Sequence, residues 1–299
     1  MSVAGAFSPG HITGFVEFPN LPDNPVLKGS RGAGFCISKG VKTTVYAERN
    51  KKNDFLIVMN GKYADNAEVS SYVVDEYLKL VKQPFSIRVE HDLEIPIGYG
   101  LGSSGAAALS LSLALNKALV TNLRDIEAAQ IAHKADFVCR CGLGTVLAEF
   151  HGGFEMRLNA GAPGVGILEK ILLDDNHKVV MFCIAPISTK EFLRNKMQLI
   201  NGFGGKMLNK LKKTKSVNDF MEMSLQFAKS IDFVSEKCQC IIDAMRGKGY
   251  KCSMAMFGET VFSIVKNDDI KDVQGIFREY DGKLLVCDID YQGARIIPC

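Results

Sequence analysis

The chain has 299 residues, 47% of them apolar and 23% charged, which excludes a disordered or collagen-like polymer and, at about 150 residues per domain, leaves room for two domains. Its 36 basic and 33 acidic residues give a net charge of +3. That is too close to neutrality for a general nucleic-acid binder, and it suits a small anionic substrate held by a few placed cations.

In chain order, Ser2–Phe7 and His11–Phe18 are expected strands, with Pro9-Gly10 as a turn between them. Asn20–Gly29, rich in Pro and Asn, is expected to be a loop. Gly32–Glu48 reads as a long β stretch broken near Lys39-Gly40, and Phe55–Asn60 as a further strand. In Asn66–Lys82 the apolar residues Val69, Val73, Tyr77 and Leu80 recur at steps of three and four, predicting an amphipathic helix. A strand at Phe85–His91 follows, then helices at Ser103–Leu119 and Leu123–Phe137. Gly152-Gly153 and Asn159–Gly166 form a loop-rich zone, where a boundary divides the chain into residues 1–160 and 161–299.

Beyond it come a strand at His177–Ala185 and helices from Thr189 to about Arg246, interrupted at Gly202–Gly205. Strands at Cys252–Phe257 and Val261–Val265, a helix at Ile270–Tyr280 and a strand at Leu284–Asp288 close the series. The order β, helices, β, β, α, β is that of an α+β unit. Lys206, Lys210, Lys212, Lys213 and Lys215 read as a solvated helix face. The nine cysteines are an odd number, and Met1–Gly10 has no basic stretch leading into an apolar core, so reduced thiols are expected. Neither Cys139/Cys141, with His133 and His151 nearby, nor Cys238/Cys240 has a common zinc spacing. The longest apolar run, Ala106–Val120, is interrupted by polar residues and too short to span a bilayer. A cytoplasmic protein is expected, with no membrane or nucleic-acid partner and with room for a homodimer.

The chemistry concentrates in Pro96-Ile97-Gly98-Tyr99-Gly100-Leu101-Gly102-Ser103-Ser104-Gly105, just before the Ala106 helix. Closely spaced glycines let the backbone turn sharply against a ligand. The loop feeds a helix N-terminus, whose free N–H groups and dipole favour an anion. Two hydroxyls stand there, one of them within reach of a magnesium ion. The segment is no Walker A loop, because no lysine follows the glycines, and its spacing is not the dinucleotide fingerprint. A side chain at Gly102 is expected to fall where phosphate lies.

Pro96–Ala107 resembles the second motif of the GHMP kinase superfamily, P-x-x-x-G-L-G-S-S-A-A, with Gly105 in place of the first alanine. Ser8-Pro9-Gly10-His11 resembles the first motif, with His11 where lysine or arginine is usual. Phe7–Gly14, Lys28–Gly34 and Ser38–Val41 look closer still to the archaeal pantoate kinase branch. The resemblance implies a ribosomal-protein-S5-like N-terminal domain and a ferredoxin-like C-terminal domain. It implies use of ATP and Mg²⁺, and phosphorylation of (R)-pantoate to (R)-4-phosphopantoate in coenzyme A biosynthesis.

The same resemblance implies residue roles. Pro96, Gly98, Gly100, Leu101, Gly102, Ser103, Ser104 and Gly105 would hold the nucleotide, and Ser104 and Asp136 the magnesium. Lys28, Ser30, Arg31 and His11 would hold the substrate, an arginine fork suiting a carboxylate. The aspartate that many relatives use as a base aligns with Thr145, in Gly142-Leu143-Gly144-Thr145-Val146. His11 then stands as the alternative proton acceptor, so His11, Asp136 and Thr145 are the catalytic candidates. The third motif is present only weakly, as Ser253–Thr260. A nucleotide sensor on the same fold, or a kinase for mevalonate, homoserine or shikimate, is the alternative function.

Overall fold

The computed structural model describes residues 1–19, 23–139, 142, 144–174, 176–187 and 189–299, with the backbone alone over 189–199. Strands β1 (Ser2–Glu17) and β2 (Arg31–Arg49) run antiparallel, from Ser2 opposite Ala47 to Glu17 opposite Arg31. Pro9-Gly10 does not turn the chain as expected. The register shifts there instead, between Pro9 opposite Gly40 and Gly10 opposite Ile37. Proline has no N–H to give to the ladder, so the pair bulges. The expected break at Lys39-Gly40 is the other side of this bulge, where a Cβ on Gly40 would overlap the Ser8 carbonyl.

Strand β5 (Phe85–Leu93) pairs with the Val41–Arg49 half of β2, and β3 (Asp54–Met59) lies parallel to β5, with β4 (Lys62–Tyr63) beyond it. Helices α1 (Glu68–Leu80), α2 (Ser103–Ala118) and α3 (Asp125–Val138) pack against this sheet, with Val73, Tyr77, Leu109, Leu113 and Ala128 in one buried cluster. Three further elements, for which the sequence carries no expectation, flank the loop-rich zone: α4 (Thr145–His151), β6 (Phe154–Asn159) and β7 (Ile167–Ile171). Strand β6 pairs with the Gly32–Phe35 end of β2, and β7 pairs with β6.

A second antiparallel sheet has the order β11-β8-β10-β9, from β8 (His177–Pro186), β9 (Ser253–Met254), β10 (Gly258–Lys266) and β11 (Lys283–Cys287). Helices α5 (Thr189–Thr214), α6 (Val217–Ser230) and α7 (Glu236–Gly247) connect β8 to β9, and α8 (Ile270–Phe277) connects β10 to β11. This is the ferredoxin-like order with added helices. Helix α5 continues through Gly202–Gly205, where a break was expected. There Gly204 lies so close to β1 that a Cβ would overlap the Val16 carbonyl. Lys206, Lys210, Lys212, Lys213 and Lys215 are exposed.

The chain then returns. Strand β12 (Arg295–Ile297) pairs with β1, Ile297 opposite Gly5. A cut at 160/161 would part β7 from β6 and β12 from the first sheet. The two sheets share one aromatic core, in which Phe154 and Phe220 have centroids 4.7 Å apart and Phe35 and Phe262 5.6 Å. Among the described residues no helix is long and apolar enough to cross a membrane.

Candidate active site

The glycine loop joins β5 to α2, with Pro96 half-buried at its start and Leu101 buried. Gly98, Gly100 and Gly102 have φ of +86°, +75° and +72°, the left-handed region that favours glycine. A Cβ on Gly100 would lie 2.5 Å from the Met256 carbonyl. The Tyr99 carbonyl accepts from the Thr260 hydroxyl at 2.8 Å, and the Leu101 carbonyl accepts from His11 N–H at 3.0 Å. The weak third motif and the first motif thus meet the glycine loop from two sides.

Gly102 is the N-cap of α2, and no side chain caps the helix. The first-turn N–H groups at Ser103, Ser104 and Gly105 lie at the positive end of the helix dipole. Ser103 and Ser104 also line a cleft of about 520 Å³ whose other walls include Met59, Tyr63, Asn66 and Ile97. Tyr63 and Ile97 expose 64% and 56% of their surface there, a large apolar exposure for a free molecule. The expectation for Gly102 is corrected. A Cβ there would lie 2.6 Å from Glu149 Oε1 and 2.9 Å from His11 N, in packed protein and not in an open cradle.

Beneath the loop is a cluster of buried charge: Asp136 from α3, Glu149 from α4, and Glu155 and Arg157 from β6, each with no exposed surface. Arg157 Nη1 donates to Glu155 Oε1 at 2.5 Å. Both carboxylate oxygens of Asp136 and of Glu149, Glu155 Oε2, and Arg157 Nε and Nη2 have no hydrogen-bond partner among the described residues. Burial pushes the Asp136 carboxyl up to about 7, against a smaller pull from the Gly144 N–H. Burial also raises Glu149 well above the usual carboxylate range, Asp136 adding to it, while the Thr145 hydroxyl lowers it without reaching hydrogen-bond geometry.

His11 differs from its expected role. Its ring is enclosed, with Nε2 3.0 Å from Glu155 Oε1 and 3.2 Å from Arg157 Nη1, and Nδ1 3.3 Å from Thr13 Oγ1. With Nε2 protonated, the ring donates to Glu155 and accepts from Thr13, which leaves no lone pair for a substrate proton. Burial holds its pKa below the ordinary value, against the opposing pull of Glu155. Arg31 is also already engaged: Nε donates to the Leu158 carbonyl at 2.8 Å and Nη1 to Glu17 Oε1 at 2.7 Å, the residue opposite it on β1. Lys28 Nζ donates to exposed Asp23 at 2.9 Å, and its carbonyl accepts from His133 Nε2 at 2.9 Å.

Ser30 is buried and faces Gly144, where a Cβ would fall 3.0 Å from Ser30 N. The substrate loop expected from sequence and the Thr145 turn are therefore neighbours. Asp136 faces that turn too, a Cβ on Gly142 falling 2.5 Å from its Oδ1. Leu143 and Cys141 lie outside the described residues. Cys36, Cys183, Cys238, Cys252 and Cys287 are buried thiols, and Cys240 and Cys299 are exposed.

The sequence reading passed over Glu149, Glu155, Arg157 and the Met59–Tyr63 wall. Two signals were present: Glu149 follows Thr145 at the helical i+4 step, and Glu155 and Arg157 alternate within an apolar run.

Residues 68–153 match the family described as GHMP kinases N terminal domain. A pantoate kinase from Methanocaldococcus jannaschii is 32% identical over 95% of this chain and 100% of its own length. One from Thermococcus kodakarensis is 29% identical over 92% and 91%. A solved structure described as a phosphotransferase related to the CoA biosynthesis pathway superposes with a TM-score of 0.88, at 25% identity over 98% of both chains. With two sheets, a glycine loop at an uncapped helix and a full-length relative all in agreement, the chain belongs to the pantoate kinase family of the GHMP kinases.

Proposed function

We propose that the chain transfers the γ-phosphoryl group of ATP to the hydroxyl of (R)-pantoate, making (R)-4-phosphopantoate for coenzyme A synthesis in the cytoplasm. The observation that carries this reading is the uncapped N-terminus of α2 opening on a cleft with exposed apolar walls. Phosphates fit the free N–H groups and the dipole, and the base of a nucleotide covers Tyr63 and Ile97.

Magnesium fits the residues present. Asp136 offers two buried oxygens without partners, and one arginine does not balance three buried acids. Mg²⁺ takes few protein ligands and completes its shell with water and phosphate oxygens. Asp136 and the Ser104 hydroxyl would hold it. It would neutralise charge on the transferring phosphoryl group, the main requirement of a loose transition state.

The acceptor lies on the side where Ser30 meets Gly144, next to Thr145 in the chain, with Lys28 and Arg31 on the same segment as Ser30. Arg31 and Glu17 fix the end of the β1–β2 pair beneath it. The test is phosphate transfer followed by phosphorus NMR, with purified protein, MgATP and pantoate, mevalonate, homoserine or shikimate in turn. Phosphopantoate as the dominant product is expected. ATP binding without transfer to any acceptor would make the chain a nucleotide sensor.

A further inference from the structure

Two departures from the superfamily pattern lie far apart in sequence. The loop has Gly105 where an alanine is usual, and the turn has Thr145 where many relatives have the proton-accepting aspartate. The structure brings them together. A Cβ on Gly105 would lie 2.6 Å from Glu149 Oε2 and 2.7 Å from Thr145 Oγ1. Glu149 follows Thr145 by one turn of α4, so both side chains leave the same helix face. Glu149 is fully buried, its oxygens are unpartnered, and they lie against Gly102 and Gly105 at the start of α2. Thr145 is half-buried and directly follows Gly144, where the chain meets Ser30.

We propose that Glu149 is the carboxylate missing from position 145, moved one helical turn and acting through the Thr145 hydroxyl, and that Gly105 is glycine to make room for it. A threonine hydroxyl alone is too weak a base near neutral pH. It serves instead as a relay. The acceptor oxygen bonds to the γ-phosphorus while the bond from that phosphorus to the bridging oxygen breaks, and ADP leaves with the electron pair. The acceptor proton passes to Thr145 Oγ1, whose own proton passes to Glu149. Glu149 is thus a positioning residue for that proton. The groups facing it are Asp136 on α3, Glu155 and Arg157 on β6, His11 behind Glu155 on β1, and the Cys36 thiol on β2. Burial first, then Asp136 and Glu155, raise its proton affinity, and the Thr145 hydroxyl and Arg157 oppose that rise.

The inference rests on the kinase reading, and the experiments separate the two. If the wild-type protein phosphorylates no hydroxy acid, the kinase reading fails. Given an active wild type, Glu149→Gln is expected to lower kcat about 10²–10⁴-fold, the usual contribution of a placed base. The KM for ATP and the melting temperature should be unchanged. Thr145→Asp added to Glu149→Gln should restore kcat to within about tenfold of wild type, with the acid limb of the pH–rate profile moved lower, as expected for a half-buried carboxylate. A kcat within threefold of wild type in Glu149→Gln, or no rescue by Thr145→Asp, overturns the proposal. Should Glu149→Gln fail to fold, Thr145→Ala carries the test: kcat must fall at least tenfold in a folded protein, and an unchanged kcat overturns the relay.

Gly105 has its own readout, independent of turnover. Gly105→Ala should lower the melting temperature of the wild-type protein and raise it in a Glu149→Ala background, because alanine is the better helix former once the carboxylate is gone. The same sign in both backgrounds overturns the claim that Gly105 makes room for Glu149.

Discussion

Helix α2 touches two buried polar clusters that are satisfied to very different degrees. In one, His91 Nδ1 lies 2.8 Å from Thr43 Oγ1 and Nε2 3.0 Å from Ser70 Oγ, while Thr43 meets Ser110 at 2.6 Å and Ser110 donates to the Ala106 carbonyl at 2.8 Å. Every side chain in that chain of bonds has a partner. In the other, Asp136, Glu149, Glu155 and Arg157 lie beneath the glycine loop with seven polar atoms unpartnered among the described residues. Burying polar groups without partners costs folding free energy, so native proteins seldom keep them without a reason. The closed cluster specifies the packing of α2 on the sheet. The open one is the cluster that the proposed reading assigns to phosphoryl transfer.

Substitutions on the two sides should therefore separate stability from activity. The largest effect belongs to the open cluster. Asp136→Asn is expected to lower kcat at least about 100-fold, as loss of a charge-stabilising group does. The unliganded protein should melt at the same temperature or higher, since a buried unpaired acid is gone. A drop in melting temperature with activity retained would make Asp136 structural. The closed cluster should behave in the opposite way. His91→Ala leaves Thr43 and Ser70 short of a partner beside a cavity, and should cost about 2–4 kcal/mol in denaturant unfolding. Its kcat should stay within about twofold of wild type.

The same histidine gives a pH test. Burial holds His91 down to about 4 from an ordinary value of 6.5. Between those values the unfolded chain binds a proton that the folded protein refuses. Its contribution is therefore nil above about pH 7, and stability falls as pH drops from 6.5 towards 4, by on the order of 3 kcal/mol at full extent. Melting temperatures of His91→Gln should show a shallower slope over that window, and a slope equal to wild type would mean His91 is not the group responsible. The smallest effect is at Arg31, which stands between the two cases with two nitrogens committed and the side chain partly exposed. Arg31→Ala should raise the KM for pantoate about tenfold, roughly 1.4 kcal/mol, and leave that for ATP unchanged. Glu17→Gln, which keeps the guanidinium, should change it less than threefold. Equal effects would show that Arg31 acts only as a strut between strands.

The loop was legible because left-handed glycines, an Ala/Leu helix and a serine pair are each local signals. The floor of the site was not. Strand β6 alternates polar with apolar residues over Phe154–Arg157, yet it is buried on both faces there, and its two charges lie beside a loop-rich zone where no strand is expected from the sequence. Helix α4 spans only Thr145–His151, too short for a periodic pattern to emerge. Gly202–Gly205 misled for the opposite reason: glycine usually marks a break, and here it lets α5 approach the β1 backbone. His11 was read from its place in a motif, and only packing could show that Glu155 and Thr13 take up its ring.

The return of β12 to β1 also shapes how the molecule is made. During synthesis β1 emerges early and pairs with β2, but one edge of it has no neighbour until Arg295–Ile297 leave the ribosome. An unpaired strand edge is a template for unwanted association. Closing the sheet with β12 is a late, long-range event of the slow kind. Yield from expression should then depend on chaperones that shield β1, and a fusion that delays release of residues 295–297 should lower the soluble fraction more than one placed before Ser2.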